Sequence, residues 1–436
     1  MTETALASRL AIDGGTPVRT APLPWELPGA HWIGQEEIDL VTQVLRAKSP
    51  FRFYGPDKQG MTERFEAVWR QRHLRKHALG VSSGTSALHI SLCAFGVGPG
   101  DEVIVPGYMW VSCISAIVRT GAIPRLVDID DTFCADPQHI EAAINSRTKA
   151  VIYVNMSGAP GRIDEVATLC RKRGVYLLED CAQAAGASLH GKPAGSFGDI
   201  SIFSFQLNKN LSAGEGGAIV CDDDRLFRRC TALHDLGFPR NNGRLDITDP
   251  DCALWGMGSR MSELTAAVLV GQEGKLDRIT AAMRQAKWQI RERLQGIDGL
   301  SFRTIVDPAG DSGPFLITLY PDADKARRFA AALKAEGIAG PRDSMVSLAL
   351  CDFGLHWYFN IPSLVRKTSN SAEGTPWNHP ANAFSQEISY GRGLLPRCDD
   401  YYSRGCMLTV ASCLEPRDID DIVAAFKKVA ASVLGS

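Results

Sequence analysis

Between Ala78 and Cys221 short runs of apolar residues alternate with longer stretches in which apolar positions recur every three or four residues. The short runs predict strands at Ala78–Val81, Val103–Val105, Arg125–Asp128, Val151–Val154, Val175–Glu179, Ile200–Phe205 and Ala218–Cys221. The longer stretches predict helices over Thr85–Phe95, Met109–Thr120, Pro137–Ile144 and Ile163–Arg173. Strands that read as continuous apolar runs are covered on both faces, so the alternation predicts an α/β fold with a mostly parallel sheet covered by helices. Outside this region, Ile38, Val41 and Leu45 give helical spacing to Gly34–Ala47, and Met61–Trp69 repeats it, with a turn at Arg52–Pro56 between them. A long helical pattern runs from Arg260 through Ile290. Beyond it, Phe315–Leu319 reads as a strand, and Ala323–Glu336 and Pro416–Leu434 as helices.

A chain of 436 residues is longer than one hydrophobic core usually serves, so two domains are expected. The pattern divides it into an extended, Pro-rich lead-in over 1–33, a large domain over 34–285 and a smaller α/β domain over 286–436. Hydrophobic content of 45%, charged content of 22% and a formal net charge of −2 are those of an ordinary globular protein. They give no electrostatic reason to expect nucleic acid or an anionic membrane as partner. No apolar run reaches the roughly 18 residues of a membrane span, and Met1–Ala5 has neither the basic nor the apolar part of a secretory leader. The twelve cysteines are scattered through apolar segments without a C-x-x-C pair, which predicts reduced, buried thiols and a cytoplasmic location. The nine histidines form no pair at ligand spacing, so no metal site is expected.

Candidate chemistry concentrates between Val175 and Gly217. The strand Val175-Tyr176-Leu177-Leu178 runs into Glu179-Asp180-Cys181-Ala182-Gln183. A loop, Gly195-Ser196-Phe197-Gly198-Asp199, then leads to the apolar run Ile200–Phe205, with Lys209 and Gly214-Glu215-Gly216-Gly217 beyond it. Read singly, Asp180 is a helix cap and Lys209 a solvated lysine. Together, at the ends of neighbouring core strands, they are the pair that pyridoxal 5′-phosphate (PLP) requires: a lysine to join the aldehyde and an acid to keep the ring nitrogen protonated. Ser83-Gly84-Thr85-Ser86 stands where a strand gives way to a helix, a natural phosphate site, and Gly84 allows close approach while Thr85 adds a hydroxyl. Ser204 can add another. Trp110, just past the next strand, lies at the same sheet edge and can stack on a flat ring. Arg240 could take a donor carboxylate bidentately, or simply be a solvated loop arginine. The aromatic segment His356–His379 either lines a pocket or packs between domains.

The Ser-Gly-Thr turn, the Glu-Asp-x-Ala-Gln block, the Gly-Ser-x-Gly-Asp loop, Ser204-x-x-x-x-Lys209 and Gly-Glu-Gly-Gly together resemble the DegT/DnrJ/EryC1/StrS family of sugar and cyclitol aminotransferases, from Leu10 to Leu264. The resemblance implies PLP fold type I and PLP as cofactor. It assigns Gly84, Thr85 and Ser204 to the phosphate, Trp110 to the ring face, Asp180 to the ring nitrogen, Gln183 to the ring hydroxyl side and Lys209 to the covalent link. It further implies a homodimer with shared sites and transfer from a small-molecule amino donor to a keto acceptor. Retention of Lys209 separates the chain from dehydratase members that carry histidine there. Cys181-Ala182-Gln183, Phe205-Gln206 and Ile12–Arg19 look most like the cyclitol branch, which aminates scyllo-inosose-type ketones with glutamine. A nucleotide-linked keto-sugar acceptor and a non-catalytic regulatory subunit are the alternatives. Two positions depart from the family pattern. Gly258 stands where an asparagine is usual, and Asn155-Met156-Ser157-Gly158 replaces His-Leu-Tyr-Gly, which puts Asn155 in a pocket wall.

Overall fold

The computed structural model describes residues 9–435 apart from Asn242 and Asp343; Met1–Ala5, read above for a leader, lies outside the described residues. The large sheet has seven strands: β1 (His77–Val81), β2 (Glu102–Pro106), β3 (Ile123–Val127), β4 (Thr148–Val154), β5 (Tyr176–Asp180), β6 (Ile200–Ser204) and β7 (Gly217–Cys221). Their order is β1-β7-β6-β5-β4-β2-β3. The run β3-β2-β4-β5-β6 is parallel, and β7 runs against both its neighbours. These are the seven strands expected from the apolar runs. Their near-complete burial explains why those runs lack polar alternation.

Helices α1 (Gln35–Arg46), α2 (Met61–Arg72), α3 (Gly84–Ala94), α4 (Ser112–Thr120), α5 (Pro137–Ala143), α6 (Ile163–Arg173) and α7 (Asp224–His234) precede, join or follow the strands. Two expected helices differ from the sequence pattern. The helix expected from Met109 begins at Ser112, because Tyr108 forms a β-bridge with Trp357, and Met109 N–H and Gly107 C=O bond to His356 and Tyr358. The long pattern after Arg260 is two helices, α8 (Glu263–Glu273) and α9 (Leu276–Arg293). They part where Lys275 turns its Nζ to Glu37 and to the carbonyl of Trp32.

A second, antiparallel sheet follows, built from β8 (Ser301–Phe302), β9 (Phe315–Leu319), β10 (Ser347–Ala349) and β11 (Gly405–Thr409) in the order β8-β9-β11-β10. It packs with α9, α10 (Ala323–Ala335) and α12 (Pro416–Val433) around one core, which Leu10 and Leu23 of the lead-in also enter. The stretch from Trp357 to Cys398, up to the start of α11 (Pro396–Arg404), packs instead on the core of the large sheet. Asp128, just past β3, accepts the amides of Arg397 and Cys398 at 2.8 and 2.9 Å. A side chain on Gly107 would meet Leu395 at 2.3 Å, so this packing depends on glycine there. The lead-in also reaches the large sheet, where the amide of Gly29 donates to the carbonyl of Lys209 at 3.1 Å.

Candidate active site

Parallel strands that end together bring their following loops together. Register fixes which loops these are here. Val81 and Ser204 both pair with Gly217, Asp180 pairs with Ile202, and Val154 pairs with Asp180. The segments after β1, β6, β5, β4 and β2 therefore share one edge. That edge gathers Gly84, Thr85, Ser204, Lys209, Asp180, Gln183 and Trp110, which are far apart in the chain.

At the β1 end, Ser83 caps α3 by accepting the amide of Ser86 at 3.1 Å, and the preceding first-turn amides keep no intrahelical partner. Thr85 Oγ1 reaches Ser112 Oγ at 2.8 Å. A Cβ on Gly84 would stand 2.8 Å from Ser204 Cβ, and one on Gly217 would stand 2.5 Å from the Ser83 backbone. Only glycines let the helix start lie against the end of β6. Hydroxyls, free amides and the positive end of a helix in one place make a donor set suited to phosphate.

Asp180 is buried, with 4% of its surface exposed. One carboxylate oxygen accepts the Ala182 amide at 2.9 Å, and the other has only the weak thiol donor of Cys113 at 3.4 Å. Burial pushes its carboxyl above the usual range, although the Ala182 amide, Cys113 and the charge of Lys209 pull the other way. Lys209 is lowered by burial, and Asp180 partly restores it. No ion pair within 4 Å joins the two among the described residues. A buried acid and a half-buried amine at the ends of neighbouring strands, not paired directly with each other, are the set that a protonated ring nitrogen and an aldehyde would complete.

Gln183 accepts the amide of Ser157 at 2.9 Å through Oε1, which leaves its Nε2 as a donor. Trp110 keeps 44% of its surface exposed and meets His356 at 4.8 Å between ring centres. His356 stacks on Phe353 at 3.6 Å. Burial, helped by the charge of Lys209, pushes its imidazole down to about 3, so the ring is neutral near pH 7. The aromatic segment that the sequence left between two readings thus sends His356 to this edge and sends Trp357, Tyr358 and Trp377 into the large core.

Two expected substrate contacts lie elsewhere. Asn155 is fully buried, and its Nδ2 donates to Glu179 at 2.9 Å and to the Cys181 sulfur at 3.2 Å, so it braces the strand end and meets no pocket. Arg240 donates to Asp235 at 2.7 Å and to the Gly243 carbonyl at 2.9 Å, and its guanidinium lies 4.1 Å over Phe53. Those bonds use Nε and Nη1 of the guanidinium.

Sequence reasoning passed over Glu179 and Cys113. Glu179 accepts the amides of Gly195, Phe197 and Gly198 and the hydroxyl of Ser201 at 2.7–3.1 Å, folding the Gly-rich loop around itself. Its position beside Asp180 was the available signal. Cys113 had no signal, because a thiol in an apolar run reads as packing.

A mostly parallel seven-stranded sheet with an acid and a lysine on its carboxyl edge, followed by a smaller antiparallel sheet, is the type I fold of PLP enzymes. Residues 31–341 match the DegT/DnrJ/EryC1/StrS aminotransferase family, and the chain belongs to it. An L-glutamine:2-deoxy-scyllo-inosose aminotransferase of Streptomyces kanamyceticus is 38% identical over 287 residues, covering 64% of this chain and 66% of that one. One from Streptoalloteichus tenebrarius is 39% identical over 285 residues, covering 63% and 66%. The chain therefore spans slightly less than two thirds of the length of these relatives. Among solved structures, S. venezuelae DesV in complex with a ketimine intermediate is 26% identical with a TM-score of 0.75, covering 94% of this chain and 99% of that one.

Proposed function

We propose that the chain is a PLP-dependent aminotransferase that moves an amino group from L-glutamine to a keto-cyclitol of the scyllo-inosose type. The observation that carries the reading is the placement at the sheet edge: Asp180 is buried at the end of β5 and Lys209 stands just past the end of β6, where each feels the charge of the other without a direct ion pair. The cofactor, when bound, supplies an electron sink next to the carbon that gains or loses the amine. The start of α3 with Thr85 and Ser204 would hold its phosphate, Trp110 would cover one ring face and Gln183 Nε2 would donate to the ring hydroxyl. Asp180 would hold a proton on the ring nitrogen, since a nearby carboxylate favours the charged form. Lys209 would carry the aldehyde and, once displaced by the donor, move a proton to and from the substrate carbon. Its lowered pKa raises the fraction of free amine available for that transfer.

The acceptor and donor follow from the two glutamine:2-deoxy-scyllo-inosose relatives. Holoenzyme should show a visible band that borohydride bleaches and should transfer nitrogen from glutamine to a keto-cyclitol, and Lys209→Ala should lose both. Transfer that survives in Lys209→Ala overturns the reading. A preference for nucleotide-linked keto-sugars in a side-by-side screen overturns the acceptor class alone, and cofactor binding without transfer to any ketone points to a regulatory role.

The reading includes a homodimer that shares its sites. Its support is a set of exposed apolar side chains in the segment after α7: Trp255 is 94% exposed, Ile247 71% and Leu236 54%. This segment is tied to the α3 start because Ser82 N–H donates to the carbonyl of Ser259 at 2.8 Å. Gly258, in the same segment, has φ 63° and open space about its Cβ position, a conformation that glycine and asparagine both adopt.

A further inference from the structure

Behind the wall of this site lies a set of buried charges that none of the roles above uses. Lys287 of α9 and Asp311 form an ion pair at 2.5 Å, with side chains 2% and 0% exposed. Arg303 is also buried and has no carboxylate partner among the described residues. A guanidinium is costly to bury unless its donors are used. It donates to the carbonyls of Ser157 and Ala159, at 3.4 and 3.1 Å. The carbonyl between them, that of Gly158, accepts both the amide and the hydroxyl of Ser312, at 2.9 and 2.7 Å. Next to Ser312, the second carboxylate oxygen of Asp311 accepts the amide of Gly313 at 3.0 Å and closes a turn about Ser312.

Three consecutive carbonyls of one turn are thus gripped from the segment before β9. The turn needs gripping. Ser157 has φ 56° and ψ 34°, in the left-handed region that a residue with a Cβ avoids. In that conformation its amide points at Gln183 Oε1, 2.9 Å away. Released, Ser157 would relax toward the right-handed or extended regions and turn that amide away.

We propose that Arg303 and Ser312 are positioning residues: by holding the Ser157–Ala159 turn in its left-handed form they fix the carboxamide of Gln183 so that Nε2 faces the ring hydroxyl of the cofactor. The inference rests on the cofactor reading above. It assigns a functional consequence to residues that belong to none of the motifs in the chain.

The test is the pH titration of the visible band of the holoenzyme without substrate, a readout that loss of fold or of turnover does not mimic. Gln183→Ala sets the reference shift. Ser312→Ala, which removes one hydroxyl and little volume, and Arg303→Lys, which keeps the charge but not the two-pronged contact, should move the midpoint in the same direction by about half a pH unit or more. In the Gln183→Ala background Ser312→Ala should add nothing, because both act through one contact. Wild-type titration in Ser312→Ala, or a shift that adds fully to that of Gln183→Ala, overturns the proposal. If Arg303→Lys does not fold, Ser312→Ala decides alone. A wild-type protein with no borohydride-sensitive band overturns the cofactor reading, and this inference with it.

Discussion

His73 lies at the meeting point of Trp69 and Phe203, its ring centre 4.5 and 4.4 Å from theirs, and bonds through Nδ1 to the carbonyl of Ala194 at 2.8 Å. Burial in this aromatic cluster pushes its imidazole down to about 3, as it does for His234 and His356. A base whose folded pKa lies below its unfolded value is protonated first in the unfolded chain. Its contribution is fully present above about pH 6.5 and is lost as pH falls from there toward 3. Each of the three should lower stability by about 2 kcal/mol between pH 7 and pH 5. The carboxyls of Asp180 and Asp130 are raised and act with the opposite sign, favouring the folded state at low pH. The histidine term can be isolated by comparing unfolding free energies of wild type and His73→Phe at the two pH values. The variant should lose about 2 kcal/mol less on acidification, and an equal loss would remove His73 from the account. At this scale the sequence picked out Asp180 and Lys209 but not their surroundings. Asp180 and Lys209 were legible because each sits at a fixed offset from a strand. The Cys113 thiol on Asp180 left no local trace, and the aromatic segment that carries His356 gave no sign that this ring would meet Trp110.

The loop Gly195–Asp199 illustrates what an element adds. As sequence it is a Gly-rich passage between strands. In the structure Asp199 pairs with Leu177 through both backbone and side chain, at 2.9 and 2.7 Å, and the rest of the loop wraps the carboxylate of Glu179. Gly198 is required because a Cβ there would stand 2.6 Å from the Ile200 carbonyl. Glu179→Gln keeps the shape but turns one acceptor oxygen into a donor facing donors. The buried amides it leaves unpaired should cost roughly 3 kcal/mol or more. Denaturant unfolding should register the loss as a lower midpoint with an unchanged slope, and a midpoint within error of wild type would show that the loop does not depend on this carboxylate. The strands themselves were legible, since burial on both faces writes an apolar run. The start of α4 was not, because its first expected turn pairs with Trp357 and neighbours, and no local pattern announces a partner some 250 residues away.

For the whole molecule, the decisive question is what covers Trp255 and the other exposed apolar side chains of the segment after α7. A large exposed apolar residue in a segment bonded to the start of α3 is where an interaction surface is to be sought. Sedimentation velocity of the wild type should give a dimer. Trp255→Lys should shift it toward monomer and weaken cofactor retention together. A wild type that sediments as a monomer would end the proposal of shared sites, and a dimer that tolerates Trp255→Lys would move the interface elsewhere.

The sequence by itself determined the seven strands of the large sheet, the helices between them and the residues that meet at its carboxyl edge. Those depend on local periodicity and on strand ends, which are properties of neighbouring residues. Only the tertiary structure decided that Asn155 braces Glu179, that Arg240 is taken by Asp235, that the stretch from Trp357 to Cys398 lies on the large core, and that Arg303 and Ser312 grip the turn under Gln183. Apart from the Arg240–Asp235 contact, which spans five residues, each of these is a pairing of buried polar groups or packed rings across long chain separations. Such groups find whichever partner the fold brings within reach, and the chain order carries no record of that choice.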